Sequence, residues 1–263
     1  MLWTFAYTDS TAAAQVDTDI AFLADQSVVP DGANHPLLPL PLKLMWCYAL
    51  GLTVTRMRIN TPKFRPFARP LIRPIEGAAT PSSRPQLSEN WRNTVAFNAV
   101  EGIQVLRTNT TGVAERDFAL LTVGDGNRNV LQVDEYCMRF TTVFVPVVNV
   151  WTISGAIAFD DPLTAGQYAI NGFEIGSAGA VATRLVFPGP QAGNPLPQAR
   201  PGVVATTTLV TQGTRYFRHG YLGEFGRFES FQPPQIEMLN TAATANPEGY
   251  LDIVLTRPGA RAA

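Results

Sequence analysis

The sequence is poor in the residues from which enzymes build active sites. It contains two histidines, His35 and His219, and two cysteines, Cys47 and Cys137, among 263 residues. Neither histidine accompanies a nucleophile-elbow sequence, and the four residues lack the spacing of a zinc site. No phosphate-binding loop or dinucleotide-binding sequence occurs either. The sequence therefore predicts a protein that is not an enzyme, with no catalytic residues, no cofactor, no metal site and no small-molecule substrate.

Carboxylates are the functional groups that the sequence leaves open. Calcium could bind at Asp125 or at Asp160 and Asp161, which lie in predicted turns, although Asp-Gly and Asp-Pro are also ordinary turn sequences. Glycoside hydrolysis uses a pair of carboxylates. The candidates for such a pair have no distinguishing context, and they are Glu174, Glu224, Glu229 and Glu237. A carbohydrate-active or carbohydrate-binding β-sandwich is therefore kept as an alternative.

Charged residues are scarce as well. They make up 16% of the chain, where about a quarter is usual, and the formal net charge is −1. So small a net charge excludes the overall basic character of a nucleic-acid-binding domain. A surface with so little charge is typical of a protein whose surface is largely buried against neighbouring copies. A polar but uncharged surface is the alternative.

Long hydrophobic runs are missing. The most apolar stretch, residues 37–52, is interrupted by two prolines and a lysine and is shorter than the roughly 20 residues of a membrane-spanning helix. We interpret Leu42–Leu50 as a buried strand or short helix. The N-terminal residues lack the basic region of a secretory signal. We therefore expect the chain to fold in the cytoplasm of the cell that makes it, with Cys47 and Cys137 as buried thiols.

What the sequence does contain is a succession of short strand patterns. β-Branched and aromatic runs recur between clusters of Gly, Pro, Asn and Asp, which is the pattern of an all-β sandwich or barrel. The main runs lie at residues 2–8, 52–59, 95–106, 117–123, 136–145, 147–159, 167–175, 181–187, 203–210, 235–240 and 250–257. A chain of this length can form one large domain or two small ones. We predict two β-sandwiches, residues 1–146 and 147–263, and the alternative is a single β-sandwich over 1–263.

Residues 61–92 differ from the rest of the chain. Six prolines recur there, which excludes a helix interior or a central strand, and arginines are set among apolar residues. We predict a basic, Pro-rich arm that contacts neighbouring subunits, since long loops tend to be functional. A surface crossing stiffened by proline, or a contact to nucleic acid or acidic lipid headgroups, is the alternative. The residues expected to make the contact are Phe64, Arg65, Phe67, Arg69 and Arg73.

A second candidate contact combines glycines with aromatic residues. Glycine recurs at every third position from 220 to 226, and Tyr221, Phe225 and Phe228 lie between and after these glycines. Glycine permits close backbone approach and bulges, while aromatic side chains bury large areas. We predict that this Gly-aromatic run forms a subunit interface, or else a tightly folded corner.

Several segments together resemble viral coat proteins. They are residues 163–170, 184–187, 200–202 and 217–220, set in the strand-and-turn succession beside the basic arm. In these features the chain is similar to the jelly-roll capsid proteins of tailless icosahedral phages. The resemblance implies one jelly-roll sandwich or, preferred, two in tandem. It also implies copies of the chain itself as partners, in trimers or higher assemblies together with other virion proteins, and a place in the virion. A receptor-binding spike, penton or tube component is the alternative.

Overall fold

The computed structural model describes residues 2–11, 13–25, 27–51, 53–63, 71–72, 74–75, 86–87, 95–109, 115–124, 135–142, 145–176, 179–187, 200, 202–204, 225–241 and 248–258. Over these ranges every regular element is a β-strand, and no helix occurs. The prediction of an all-β fold is therefore confirmed. The same ranges include no helix of the length and apolarity that crossing a membrane requires.

The chain divides into two compact units. The first unit is centred on Trp3–Asp125, and the second on Gly126–Ala192 together with Arg200–Ala263. The strands of the first unit are β1 (Leu2–Thr11), β2 (Gln15–Asp19), β3 (Val29–Pro30), β4 (Pro36–Leu37), β5 (Leu42–Leu50), β6 (Val54–Asn60), β7 (Leu71–Ile72), β8 (Pro74–Ile75), β9 (Gln86–Leu87), β10 (Ala96–Phe97), β11 (Gln104–Asn109) and β12 (Glu115–Gly124). Those of the second unit are β13 (Glu135–Thr141), β14 (Thr152–Ala156), β15 (Ala158–Phe159), β16 (Gly166–Gly176), β17 (Ala180–Val186), β18 (Gly202–Val204), β19 (Gly226–Glu229), β20 (Gln235–Asn240) and β21 (Glu248–Pro258).

Each unit contains two main sheets with the same strand order. In the first unit the orders are β1-β12-β5-β10 and β2-β11-β6-β7. In the second unit they are β13-β21-β16-β19, with β15 added beside β13, and β14-β20-β17-β18. If the eight principal strands of a unit are numbered along the chain, both units read 1-8-3-6 and 2-7-4-5.

This order is what results from rolling up one long antiparallel ribbon. The ribbon consists of the strand pairs 1·8, 2·7, 3·6 and 4·5, and rolling places successive pairs alternately in the two sheets. All four pairs are present in both units, for example β2 with β11 in the first and β17 with β18 in the second. Eight strands arranged in this way form a jelly roll. The preferred prediction, two jelly rolls in tandem, is therefore the observed architecture.

The position of the boundary differs by one strand from the sequence-based limits. β13 pairs over its full length with β21, from Glu135 opposite Val254 to Thr141 opposite Glu248, and so belongs to a sheet of the second unit. The limits 1–146 and 147–263 place this strand with the first sandwich, because a local pattern does not show which distant strand it pairs with. That each unit folds as an independent domain stays a prediction.

The core of the first unit lies between its two sheets. The stretch Leu42–Leu50 is a strand, β5, rather than a helix, and it pairs with β12 on one side and β10 on the other. Trp3, Phe5 and Tyr7 of β1 pack in the same cluster as Leu44 and Cys47 of β5. β5 is rich in apolar residues because of this central position. A strand with a neighbour on each side and a second sheet packed over it has little contact with water.

The described parts of the Pro-rich segment are incorporated in the sheets of the first unit. Leu71–Ile72 (β7) pairs with β6, where Met57 lies opposite Ile72. Pro74–Ile75 (β8) pairs in parallel with β5, and Gln86–Leu87 (β9) pairs with β5 in antiparallel orientation. The segment between residues 61 and 92 is therefore attached to its own unit at three short strands.

The two thiols differ in exposure, which corrects the expectation that both are buried. Cys47 is buried, and burial raises the pKa of its thiol to about 12, whereas Cys137 is exposed on β13. We expect a thiol reagent near neutral pH to label Cys137 readily and Cys47 only after unfolding, because the thiolate is the reactive form. Mass spectrometry of the labelled native protein measures this, and Cys137→Ser is the control that should remove the native label. Native labelling of the C137S variant at Cys47 would contradict the prediction.

Candidate functional site

The predicted arm contacts lie outside the described residues. This applies to Phe64, Arg65, Phe67, Arg69 and Arg73 alike. Next to them, Lys63 is described, and its Nζ donates a hydrogen bond of 2.6 Å to the carbonyl oxygen of Ala96. The role of the arm between subunits therefore stays a prediction.

The described aromatic residues of the Gly-aromatic run lie in the core of the second unit. Phe225 is buried and meets Phe173 edge to face at a centroid distance of 6.3 Å. Phe228 is also buried and stacks on Phe159 and Tyr168 at 6.0 and 5.8 Å. These two rings stabilise the unit that contains them. Tyr221 lies outside the described residues, and the interface role of the run stays a prediction.

Among the candidate carboxylates, Glu237 is the centre of a buried charge cluster. Its Oε2 accepts a hydrogen bond of 3.1 Å from Nε of Arg184 on the neighbouring strand, and both of its oxygens accept from Nη1 of Arg200, at 3.0 and 2.8 Å. The guanidinium of Arg184 also lies 3.8 Å from the centroid of the Trp151 ring. All four side chains are buried. Both arginines therefore bind the same carboxylate inside the second unit, where an unpaired charge would be strongly destabilising.

Two further carboxylates that the sequence singled out, Glu229 and Asp160, each pair with a neighbouring side chain. Glu229 accepts a hydrogen bond from Gln167, and Asp160 pairs with Arg139 at 2.8 Å on the surface. In the ranges that the structure describes, no group of three or more His, Cys, Asp or Glu side chains is placed to hold a metal ion.

A second buried charge cluster lies in the first unit. The Arg107 guanidinium is 1% exposed and pairs with the fully buried Asp117 at 2.6 Å. The same guanidinium donates to Oε1 of Gln15 at 2.8 and 3.0 Å. A buried arginine needs this many acceptors because an unpaired charge in the core is strongly destabilising. Arg107 therefore ties β11, β12 and β2 together.

His35 lies between two carboxylates of the first unit. Its Nε2 is 2.8 Å from Oδ2 of Asp19, and its Nδ1 is 3.1 Å from Oδ2 of Asp31. The amide of Gln104 approaches the same Nε2 at 3.2 Å. Burial opposes protonation of the imidazole, but the hydrogen bonds and charges of the two aspartates outweigh it, so the pKa of His35 is raised above its ordinary value of 6.5.

The His35 cluster predicts a pH dependence of stability. A group whose pKa is raised by folding contributes stability below its unfolded pKa, and this contribution is lost as pH rises through the folded pKa. The pKa of Asp31 is lowered, and its contribution is lost only in acid. We therefore expect thermal stability to fall on going from about pH 6 to about pH 9. His35→Gln should be less stable at the lower pH and nearly lack this fall; equal slopes for both proteins would contradict the assignment.

An exposed apolar turn follows β13 in the second unit. Val147, Val148 and Val150 are 57%, 39% and 47% exposed within four residues. We call residues 147–150 the valine turn. Its backbone is held by hydrogen bonds, since the Val150 amide donates to the Val147 carbonyl and the Asn149 amide donates to the Asn240 carbonyl at 2.8 Å. Asn149 adopts a left-handed φ of 60°, a conformation that asparagine tolerates better than most residues.

An apolar pocket lies at the other end of the same unit. Its volume is about 250 Å³, and its apolar lining consists of Tyr136, Met138, Pro162, Leu163, Tyr168, Ile253 and Leu255. Of the two polar lining residues, Thr164 already shares a hydrogen bond of 2.8 Å with the Tyr168 hydroxyl, and Asp161 is exposed. The pocket is therefore a surface for apolar contact with one carboxylate at its edge.

The turn and the pocket are separated by the length of a strand. Tyr136 stands at the start of β13, and the valine turn follows the end of that strand. β16 likewise begins beside the pocket, which Tyr168 lines, and four residues after its end Ala180 lies opposite Asn240, to which the turn is hydrogen-bonded. The Asn149 amide is hydrogen-bonded to Asn240, the last residue of β20. The turn that carries the exposed Phe231 lies at the opposite end of β20, before its first residue.

Sequence reasoning missed the valine turn because its residues have the composition of a strand. The run 147–159 is rich in valine and isoleucine and was predicted as one strand, but the structure places a turn at 147–150 before β14 (Thr152–Ala156). Strand propensity reports which residues fit a half-buried pleated surface, so exposed valines in a turn produce the same signal. The pair Val-Asn within the run was the one local sign of a turn.

Comparison with known proteins gives little beyond this. No protein-family model matches the sequence, and no curated protein matches it. A solved structure that resembles this chain is the major capsid protein P2 from Bacteriophage PM2, with a TM-score of 0.23 and 10% sequence identity over 97% of this chain and 98% of that chain. At this TM-score the likeness carries no argument, and the function has to be inferred from the chain's own residues.

Proposed function

We propose that this protein is a structural building block of a viral shell, which assembles with copies of itself and catalyses no reaction. The observation that carries the proposal is the repetition of a complete jelly roll, with both sheets in the same order, within one chain. Jelly rolls occur in viral capsids and in ligand-binding proteins such as lectins and cupins. Because a fold alone does not define a function, the surface has to distinguish between these classes.

The surface favours protein contacts over ligand binding. A small-molecule site needs a few well-placed polar groups in an apolar pocket. In the pocket of the second unit the Tyr168 hydroxyl is engaged with Thr164, and the one carboxylate, that of Asp161, lies exposed at the edge. Exposed valines and a charged fraction of 16% are in contrast typical of a surface that another protein covers.

The proposal includes the partners and the location. The partners are copies of this chain, in trimers or larger assemblies, and other virion proteins. The protein is located in the shell of the virion. The basic arm, residues 61–92, contributes a contact between subunits. A spike, penton or tube component would use the same kind of surface in a smaller oligomer.

Light scattering and negative-stain electron microscopy of the purified protein test the proposal. We expect symmetric oligomers that assemble into closed particles as the protein concentration rises. A stable contact between subunits should bury well over about 1,000 Å². A monodisperse monomer over a wide concentration range would overturn it. A small trimer that adsorbs to cells would support the spike alternative, and a monomer that binds glycans would support a carbohydrate-binding protein.

A further inference from the structure

We propose that the valine turn of one copy inserts into the apolar pocket of the second unit of another copy, so that these units join head to tail. The inference rests on the proposed function, because it names the contact through which copies assemble. It draws on residues of the second unit only, and all of them are described.

The turn has the properties of an inserting element. It presents Val147, Val148 and Val150 to solvent without a charged residue among them. Hydrogen bonds from the Val147 amide to Thr152 Oγ1 and from the Asn149 amide to the Asn240 carbonyl fix its shape. A segment that is already held in one conformation loses little conformational entropy on binding. The turn can therefore bury its valines at low cost.

The pocket has the size and chemistry to receive such side chains. A cavity of roughly 150 Å³ lined by aliphatic and aromatic groups admits benzene, and this one measures about 250 Å³. Two branched aliphatic side chains fit a space of this order. Leu163 and Leu255 supply aliphatic walls, and the half-exposed ring of Tyr136 supplies a further apolar surface. Each valine that enters exchanges contact with water for contact with these groups.

The two elements lie at different places on the same unit, so the turn cannot enter the pocket of its own unit. The turn is hydrogen-bonded to Asn240, which lies opposite Ala180 at the start of β17, whereas the pocket is lined by Tyr168 near the start of the preceding strand β16. A complementary patch and pocket at different places on one molecule produce a heterologous contact, which closes into a ring or continues as a chain. The partner is therefore a second copy of this chain.

A disulfide trap tests the contact directly. The variant combines Cys137→Ser, which removes the exposed native thiol, with Val147→Cys in the turn and Leu163→Cys at the pocket. Under mild oxidation we expect disulfide-linked dimers and larger species on a non-reducing gel. The matched control replaces Val147→Cys with Val29→Cys, an exposed valine of the first unit, and should lack these species. Assembled protein that gives no more cross-linking than this control would overturn the inference and leave the proposed function standing.

A mixing experiment distinguishes head-to-tail contact from pairing of two valine turns. Val147→Asp with Val150→Asp blocks the turn, and Tyr136→Glu puts a charge at the pocket. The turn variant should lose affinity at this contact by about 100-fold or more, because each of its two buried valines contributes roughly a factor of ten. The Y136E variant should also lose affinity, because it places a charge in an apolar pocket. An equimolar mixture retains one intact turn and one intact pocket and should form 1:1 dimers in ultracentrifugation. Assembly of the Y136E variant alone at the wild-type concentration would overturn the inference, and absence of any assembly in the wild type would overturn the proposed function as well.

Discussion

Replacing Glu237 with alanine is expected to lower the free energy of unfolding by about 3–5 kcal/mol. In the wild-type protein Arg184 and Arg200 both bind this carboxylate. The substitution removes the carboxylate and leaves both guanidinium groups buried. Removal of one member of a buried charge cluster is costly because the remaining charges keep their desolvation penalty and lose their counter-ion. Urea denaturation monitored by tryptophan fluorescence measures the change, with Trp151 beside Arg184 as an internal probe.

Two further variants make the test specific to burial. Asp160→Ala removes a carboxylate that pairs with Arg139 on the surface, where both side chains are about 40% exposed, and it should cost no more than about 1 kcal/mol. Replacing Arg184, Arg200 and Glu237 together by leucine removes all three charges and should recover most of the loss, since apolar replacement of a buried ion cluster is often neutral. Equal effects of E237A and D160A would show that the cluster is not buried in solution. If E237A alone fails to fold, recovery in the triple variant still tests the explanation.

The strand content of this fold could be predicted because strand signals are local. The runs at 167–175, 181–187 and 235–240 correspond to β16, β17 and β20 within one residue at each end. Their β-branched and aromatic residues are bounded by glycine, proline or asparagine, and both signals lie within the segment itself. The run at 95–106, in contrast, is two strands, β10 and β11, which belong to different sheets. A change of sheet depends on distant partner strands, and the local sequence pattern does not show which strands these are.

The candidate site was less predictable than the fold. Glu237 was one of four carboxylates without context, and its arginine partners lie 53 and 37 residues away in the sequence. The pocket is likewise formed by three strands and a loop that meet only in the folded unit. The preference for two jelly rolls came from resemblance, and the strand order now establishes it independently. Local sequence patterns do not show which distant residues interact in the folded protein.

The structure changes how the Pro-rich arm should be tested. Deleting residues 64–84 would remove β7 and β8, which pair with β6 and β5 of the first unit. β7 is also the fourth strand of the sheet β2-β11-β6-β7. Such a deletion would damage the jelly roll itself, and a loss of assembly would then say nothing about contacts between subunits. Point substitutions that leave these strands in place are the better test.

Reversing the charges of Arg65, Arg69 and Arg73 to glutamate is expected to abolish or strongly weaken assembly while the β-fold is retained. Arginine binds carboxylates and carbonyl oxygens through a planar fork of donors, and glutamate cannot replace it toward the same partners. The triple lysine variant is the matched control, because it keeps the charge and should lose only part of the assembly. Circular dichroism checks the fold, and light scattering measures the assembly.

The same variant separates a clamp between subunits from a contact with nucleic acid. If the arm binds nucleic acid, the affinity of the wild-type protein for a DNA or RNA duplex should fall steeply with salt, with a slope set by the number of phosphates contacted. The glutamate variant would then still assemble but lose this binding. If instead assembly is lost and the wild type shows no salt-dependent binding, the arm is a clamp. Unchanged assembly together with unchanged nucleic-acid binding would leave the surface crossing stiffened by proline as the remaining interpretation of this segment.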